Sequence, residues 1–293
     1  DVGTSETTAV LVDGHGRVLA EASTPNELRV PRPGWAEHDA EADWWGNLCA
    51  VVAEVFTQVD VSPSEVEAVG CSGIGPCVLP VDADVQPLGP GILYGIDTRA
   101  SAQIERLDAA LGREAIFERT GNALTSQSAG PKVAWLRDER PEAFAAAAWF
   151  HTCQSFLVAR LTGEHVMDHT TAAYWGPFYD IRTNDWIDEW VADTVEPSRL
   201  PRLVWPTDVV GQVTAEASRA TGLAEGTPVI GGAPDAPAEA ALPDAHQKHH
   251  RHRQQVEHGV GDEEPFHPVH PRTTVVPSSL RRRATGPGAV APS

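Results

Sequence analysis

The sequence predicts an α/β fold with helical insertions, and three observations carry that prediction. Strand-like and helix-like segments alternate along residues 1–242. Short apolar runs at residues 8–12, 68–73 and 228–232 are bounded by Gly, Asp, Pro or Thr, as strands are. Between them, Trp44, Trp45, Leu48, Val51, Val52, Val55 and Phe56 recur at three- and four-residue intervals, the period of an amphipathic helix.

Taken in order, residues 8–12 read as a strand, residues 13–16 as a Gly-flanked tight turn, and residues 17–22 as the returning strand. Asp39 is placed to cap the tryptophan-rich helix. Ser62-Pro63-Ser64-Glu65 has the spacing of a capping box with proline at the first helical position. It leads into A-V-G-C-S-G (68–73), a short buried strand, and C-V-L-P-V-D-A-D-V-Q-P-L (77–88) reads as a hairpin. Helices dominate from about residue 101 to residue 161. Helical spacing returns at residues 214–221, before the strand at 228–232. No internal repeat is present.

Composition bounds the function. With 293 residues, 41% of them apolar, and nine Trp, the chain can bury a sizeable core. A net charge of −19 argues against a broad nucleic-acid footprint. Cys49, Cys71, Cys77 and Cys153 are irregularly spaced, without a C-x-x-C, which points to a reduced, cytoplasmic protein. No apolar run approaches the roughly 20 residues that cross a bilayer, and no signal peptide is recognisable, so no membrane partner is expected. Charge also marks a boundary. Residues 1–242 hold 15 basic and 36 acidic side chains, whereas residues 243–293 hold seven and five, together with seven of the twelve histidines and a single aromatic, Phe266. Residues 243–293 show no periodicity and are expected to be disordered.

Three places carry chemistry. The opening D-V-G-T-S-E-T-T sets Asp1 beside Gly3, Thr4 and Ser5. Such a turn offers backbone N–H groups and hydroxyls to an anion, while the carboxylate can hold a hydrated Mg²⁺; Asp-x-Gly-Thr also makes an ordinary hairpin turn. No Walker A or G-x-G-x-x-G pattern is present. Asp235 follows a strand that ends in Gly231-Gly232, where backbone can approach a ligand closely. It reads either as a helix cap or as a general base that takes a proton from a substrate hydroxyl. In L-Y-G-I-D-T-R-A, Asp97 and Arg99 stand two apart. In an extended segment they point to one side, suited to sugar hydroxyls; the alternative is an ion pair at a helix start.

The order of these pieces is more specific than any one of them. Asp1-x-Gly-Thr-Ser, P-G-W-A-E-H-D (33–39), V-D-A-D-V-Q-P-L, L-Y-G-I-D-T-R-A, G-P-K-V-A-W-L-R (130–137), A-R-L-T-G-E (159–164) and T-G-L-A-E-G-T-P-V-I-G-G-A-P-D follow one another. This arrangement resembles the FGGY family of carbohydrate kinases, within the actin-like (ribonuclease H-like) ATPase superfamily, and most of all its xylulokinase-like members. The resemblance spans residues 1–242. It implies a mixed sheet and ATP-dependent phosphorylation of a sugar or polyol hydroxyl, with ATP and Mg²⁺ as cofactors and a homodimer as an admissible assembly. It implies that Asp1 serves the Mg²⁺–phosphate site and that Gly3, Thr4 and Ser5 form the first phosphate turn. It further implies that Asp97 and Arg99 line the sugar pocket and that Asp235 is the catalytic base, with Trp35 and Glu37 near the pocket.

The sequence departs from the family at three points. Family members have a short apolar strand before the first Asp, and here the chain begins at Asp1. Where xylulokinases present a Met-His pair to the sugar, this chain has Gly75 and Pro76, so a different substrate is expected there. Beyond residue 242 the family continues into a second actin-like domain, whereas the text here turns to H-Q-K-H-H-R-H-R-Q-Q, as after a shifted reading frame. On that reading the chain as written lacks measurable sugar kinase activity. A non-catalytic sugar-binding remnant is the alternative, and loose capture of Ni²⁺ or Zn²⁺ by His246, His249, His250 and His252 is a third reading.

Overall fold

The computed structural model describes residues 1–234. Asp235, the histidine-rich segment and the expectation of disorder beyond residue 242 lie outside the described residues.

The first strands form as their sequence demands. β1 (Glu6–Val12) pairs antiparallel with β2 (Val18–Pro25), and the turn between them is closed by Asp13, whose Oδ1 accepts from the backbone N–H of His15 and Arg17. β3 (Glu37–His38) leads to Asp39, which caps the following turn by accepting from the N–H groups of Glu41 and Ala42. The helix expected there is present, but its first stretch, Ala40–Gly46, is wound as a π-helix and buries Trp44 and Trp45 together. α1 (Asn47–Thr57) continues it and lays Val51 and Val55 on Ala20 and Ala22 of the hairpin. The capping box at residues 62–65 forms in full, yet it closes only a single 3₁₀ turn. The β-branched Val66 leaves the helical region at ψ 112°, so the chain enters the sheet instead.

β4 (Ser72–Gly73) ends in the turn that carries Gly75 and Pro76. β5 (Leu79–Val81) opens the expected hairpin, closed by Asp82 N–H to Gln86 and Leu88 N–H to Pro80. β6 (Gly91–Ile92) pairs antiparallel with β3. The helical insertion comprises α2 (Ser101–Leu111), α3 (Arg113–Thr120), α4 (Ala129–Glu139) and α5 (Pro141–Ala146). β7 (Trp149–His151) then returns antiparallel to β5. α6 (Cys153–Thr162) is apolar on most sides and sits in the middle of the molecule, with Phe156, Leu157, Val158 and Leu161 fully buried.

β8 (Val166–Asp168) is followed by α7 (His169–Ala172), the ribbon β9 (Tyr179–Asp180) and β10 (Asp185–Trp186), and α8 (Asp188–Ala192). β11 (Arg202–Val204) pairs parallel with β8. β12 (Val209–Gln212), the Thr214-capped α9 (Ala215–Thr221) and β13 (Pro228–Ile230) complete the expected helix–strand unit, and β14 (Ala233–Pro234) runs parallel to β4.

Val2 unites these strands. It bridges Thr7 in antiparallel sense and Gly73 in parallel sense, joining the β1–β2 hairpin to β4 and β14 in one mixed sheet. Two apolar clusters flank this arrangement. One gathers Trp44, Cys71, Phe156, Leu161 and Val229. The other gathers Val133, Phe150, Met167, Trp175 and Phe178. A cavity of about 190 Å³ lies between β1, α1 and residues 66–72, lined mainly by valines and leucines.

Candidate functional site

β4 organises the site. Its Ser72 hydroxyl donates to Asp1 Oδ1 at 2.6 Å, and its Gly73 is bridged by Val2 on one side and Pro234 on the other. The turn at residues 3–5 and the strand that runs into Asp235 therefore flank the same strand end. Gly232 is required for this closure. At φ +76° it sits where a Cβ would come within 2.1 Å of the Cys71 carbonyl.

The turn at residues 3–5 is shaped from below by Asn26, whose side-chain amide donates to Gly3 O at 2.7 Å and whose N–H donates to Ser5 O at 2.9 Å. Gly3 N–H returns to Glu6 O at 2.8 Å. Asp1 is exposed, and its backbone pairs with Thr8 in both directions, at 2.7 and 2.8 Å. Thr4 Oγ1 lies 3.1 Å from the Tyr94 hydroxyl. That contact joins the predicted phosphate turn to the predicted sugar loop, 90 residues away in sequence.

Asp97 and Arg99 do not stand side by side in an extended segment, as their spacing suggested. Asp97 N–H closes a turn onto Tyr94 O, and the Asp97 carboxylate accepts from the N–H and the Nε of Arg99. A short acidic side chain bonds readily to backbone two residues on, and that local option won over extension. Asp97 is fully buried and also accepts from Ala36 N–H at 2.7 Å. Arg99 reaches Glu37 at 2.8 Å and packs its guanidinium 4.1 Å from the Trp35 ring centre and 5.0 Å from that of Trp135. Trp35 and Glu37 thus lie in one assembly with the pair. Gly75 and Pro76 follow β4 directly. Ile74 N–H donates to Val2 O, and Pro76 is buried while Gly75 is half-buried.

Lys132 is the group that sequence reading missed. Its ammonium donates to Tyr94 O at 3.0 Å and Ser126 O at 2.7 Å, and the side chain is buried. Desolvation by burial pulls its pKa down to about 8, against the pull of Cys77 and Asp97. The available signal was a lone lysine inside the otherwise apolar A-G-P-K-V-A-W-L; a lysine on a helix ordinarily reads as solvent-facing. Gln127 and Ser126 hold the same loop, by Gly95 N–H to Gln127 Oε1 and Ser126 Oγ to Gly95 O.

Among the described residues no three or more His, Cys, Asp or Glu side chains gather into a metal cage. Asp1 offers a single hard carboxylate, which suits Mg²⁺ held jointly with phosphate oxygens and water, and does not suit a self-contained site. No described helix is long and apolar enough to cross a membrane.

Residues 1–241 match the FGGY family of carbohydrate kinases, N-terminal domain. The chain is 35% identical over 221 residues to a glycerol kinase of Nocardia farcinica, covering 73% of this chain and 44% of that protein. Its fold superposes on the crystal structure of xylulose kinase from Rhodospirillum rubrum with a TM-score of 0.75 at 37% identity, over 82% of this chain and 49% of the other. Plasmodium falciparum glycerol kinase, solved with ADP, shares the fold at a TM-score of 0.70 and 19% identity, over 81% and 48%. The chain spans about half the length of the relatives it matches. A mixed sheet closed at β4 and a match to one domain over residues 1–241 agree: this chain belongs to the FGGY family of carbohydrate kinases and carries the α/β actin-like fold of its N-terminal domain.

Proposed function

We propose that this chain supplies the substrate-binding half of an ATP-dependent kinase that phosphorylates a hydroxyl of a small sugar or polyol. One observation carries the reading: Asp1, the turn at residues 3–5 and the strand leading to Asp235 converge on Ser72 and Gly73, while Thr4 touches Tyr94 of the Asp97–Arg99 loop.

Phosphoryl transfer asks little more of a protein than an oriented nucleophile and fixed donors around the phosphates. In this assignment Asp235 accepts the proton of the attacking hydroxyl, a role that contributes about 10²–10⁴-fold. Gly3, Thr4 and Ser5 present N–H and hydroxyl donors to the phosphate. Mg²⁺ bound at Asp1 would neutralise charge on the phosphate oxygens. Asp97 and Arg99 line the pocket as its frame: satisfied by each other, they hold Trp35, Glu37 and the loop at residues 94–99 in place. Gly75 and Pro76 border the same strand end with little side chain, leaving room for the substrate's hydroxyl-bearing carbons. The cytoplasm, where ATP is abundant, is the compartment this chemistry needs.

The test is calorimetric titration of the chain with a panel of ketoses and polyols, with an ADP-release assay in parallel. Saturable binding of a polyhydroxylated ligand, weakened in Asp235→Asn and in Gly75→Trp, supports the reading. Indifference to the whole panel in a protein shown to be folded rejects it.

A further inference from the structure

The hydroxyl of Tyr94 has no role in the proposed chemistry, although the residue is firmly braced. Its carbonyl accepts from the Lys132 ammonium and from Asp97 N–H, each at 3.0 Å. On one side Leu93 is fully buried and donates its N–H to Ala36 O. On the other, Gly95 is tied at both ends, its N–H to Gln127 Oε1 and its carbonyl to Ser126 Oγ. The ring packs against the cluster that contains Trp44 and Phe156. A tyrosine turns about only two side-chain bonds, so a fixed main chain and a packed ring fix the place of its hydroxyl. That hydroxyl stands 3.1 Å from Thr4 Oγ1.

Thr4 is half-buried in the turn at residues 3–5, which Asn26 pins through Gly3 O and Ser5 O. Among the described residues its Oγ1 meets no other polar partner than Tyr94. A β-branched side chain has few rotamers, so this one bond selects where the Thr4 oxygen stands. The direction of the bond decides what the turn can do. Each hydroxyl carries a single proton. If Thr4 donates to Tyr94, its proton is spent, and it offers an anion only lone pairs. If Tyr94 donates, Thr4 Oγ1 accepts, and the Thr4 proton is free for a phosphoryl oxygen. An anion at residues 3–5 therefore selects the second arrangement, in which the donated bond also polarises the Thr4 O–H.

We propose that Tyr94 is a positioning residue of the phosphate turn: its hydroxyl donates to Thr4 Oγ1, fixing the Thr4 rotamer and freeing the Thr4 proton for a phosphoryl oxygen. The inference rests on reading residues 3–5 as a phosphate turn. Lys132 and the turn at Asp97 serve it by holding the Tyr94 carbonyl.

The experiment uses the full ¹⁵N-labelled chain with inorganic phosphate as the probe. The Gly3 and Ser5 amides should shift saturably. Thr4→Val, which keeps the branched shape without the hydroxyl, should weaken binding by about tenfold, and Thr4→Ser should restore most of it. Tyr94→Phe removes one oxygen from a retained ring and should weaken binding by about threefold. In a Thr4→Val background the same change should cost nothing further, because the tyrosine acts only through Thr4. Additive losses overturn the inference, since a merely structural tyrosine would give them. So does a Tyr94→Phe chain that binds phosphate as well as the wild type or better, which would mean that Thr4 spends its proton on the tyrosine. Should Tyr94→Phe fail to fold, three-bond couplings of wild-type Thr4 decide: a single χ1 rotamer is expected, and an averaged one overturns the inference. Wild-type amides blind to phosphate reject the phosphate-turn reading and this inference with it, whereas responsive amides indifferent to Tyr94 reject the inference alone.

Discussion

Arg99 shows how much one side chain can hold. Its guanidinium bonds Asp97 and Glu37, stacks on Trp35 and Trp135, and is 2% exposed. Removing one partner of a buried pair leaves the other charge uncompensated, at a cost of about 3–5 kcal/mol. Arg99→Ala should lose that much in urea unfolding, and Arg99→Lys should recover only part, because an ammonium lacks the planar fork and stacks poorly. Lys132 makes a prediction with a pH sign. Its folded pKa is about 8, against 10.5 when exposed. Between those values the unfolded chain binds a proton that the folded chain releases, so stability rises with pH across that window. Relative to Lys132→Met, the wild type should gain on the order of 3 kcal/mol from pH 8 to pH 10.5. A flat difference across those pH values would show that the amine is not desolvated.

At the scale of elements, a histidine pair joins β7 to the residue that precedes β8. His151 Nε2 lies 3.0 Å from His165 Nδ1, and His165 stacks on Trp149 with ring centres 4.2 Å apart. Burial, and secondarily His165, pushes the His151 pKa from 6.5 down to about 3, and burial lowers His165 as well. Below pH 6.5 the unfolded chain takes up protons that the folded chain refuses, so stability falls as pH falls toward 3. His151 alone contributes about 1.4 kcal/mol per pH unit to that slope. His151→Phe should flatten the acid limb of a plot of unfolding midpoint against pH. The β4–β14 pairing makes a second prediction. Gly232→Ala forces a Cβ against the Cys71 carbonyl and strains a positive φ, which should cost about 2 kcal/mol or more. Accelerated amide exchange at Ser72 and Gly73 would locate the damage at this pairing.

At the scale of the whole molecule, charge is the dominant global property. Residues 1–242 carry 36 acidic against 15 basic side chains, and this self-repulsion opposes the compact state. Screening shortens from about 30 Å at 0.01 M salt to about 10 Å at 0.1 M, so exposed carboxylates stop sensing one another across the surface. A gain near 1 kcal/mol moves the melting temperature of a domain this size by about 2–4 °C. Differential scanning calorimetry at the two salt concentrations should show such a rise, and a fall would mean that ion pairs, not repulsion, dominate the surface.

Local chemistry was legible in the sequence. The β1–β2 hairpin, the Asp39 cap, the 77–88 hairpin and the Thr214-capped helix each depend on residues a few positions apart, so propensity and periodicity suffice to find them. The capping box at residues 62–65 was legible too, yet it made only one turn because Val66 turns extended and Val69, three residues on, bridges Val229. The order of motifs was enough to identify the family. What only the tertiary structure decided are the long-range partners. Asp97 and Arg99 chose each other once burial left them no water. Lys132 turned inward because two carbonyls from separate loops met its ammonium. His38 took one tautomer because Trp44 arrived beside it. Such partners are fixed by chain segments that meet only on folding, and a buried polar group takes its state from whichever of them reaches it.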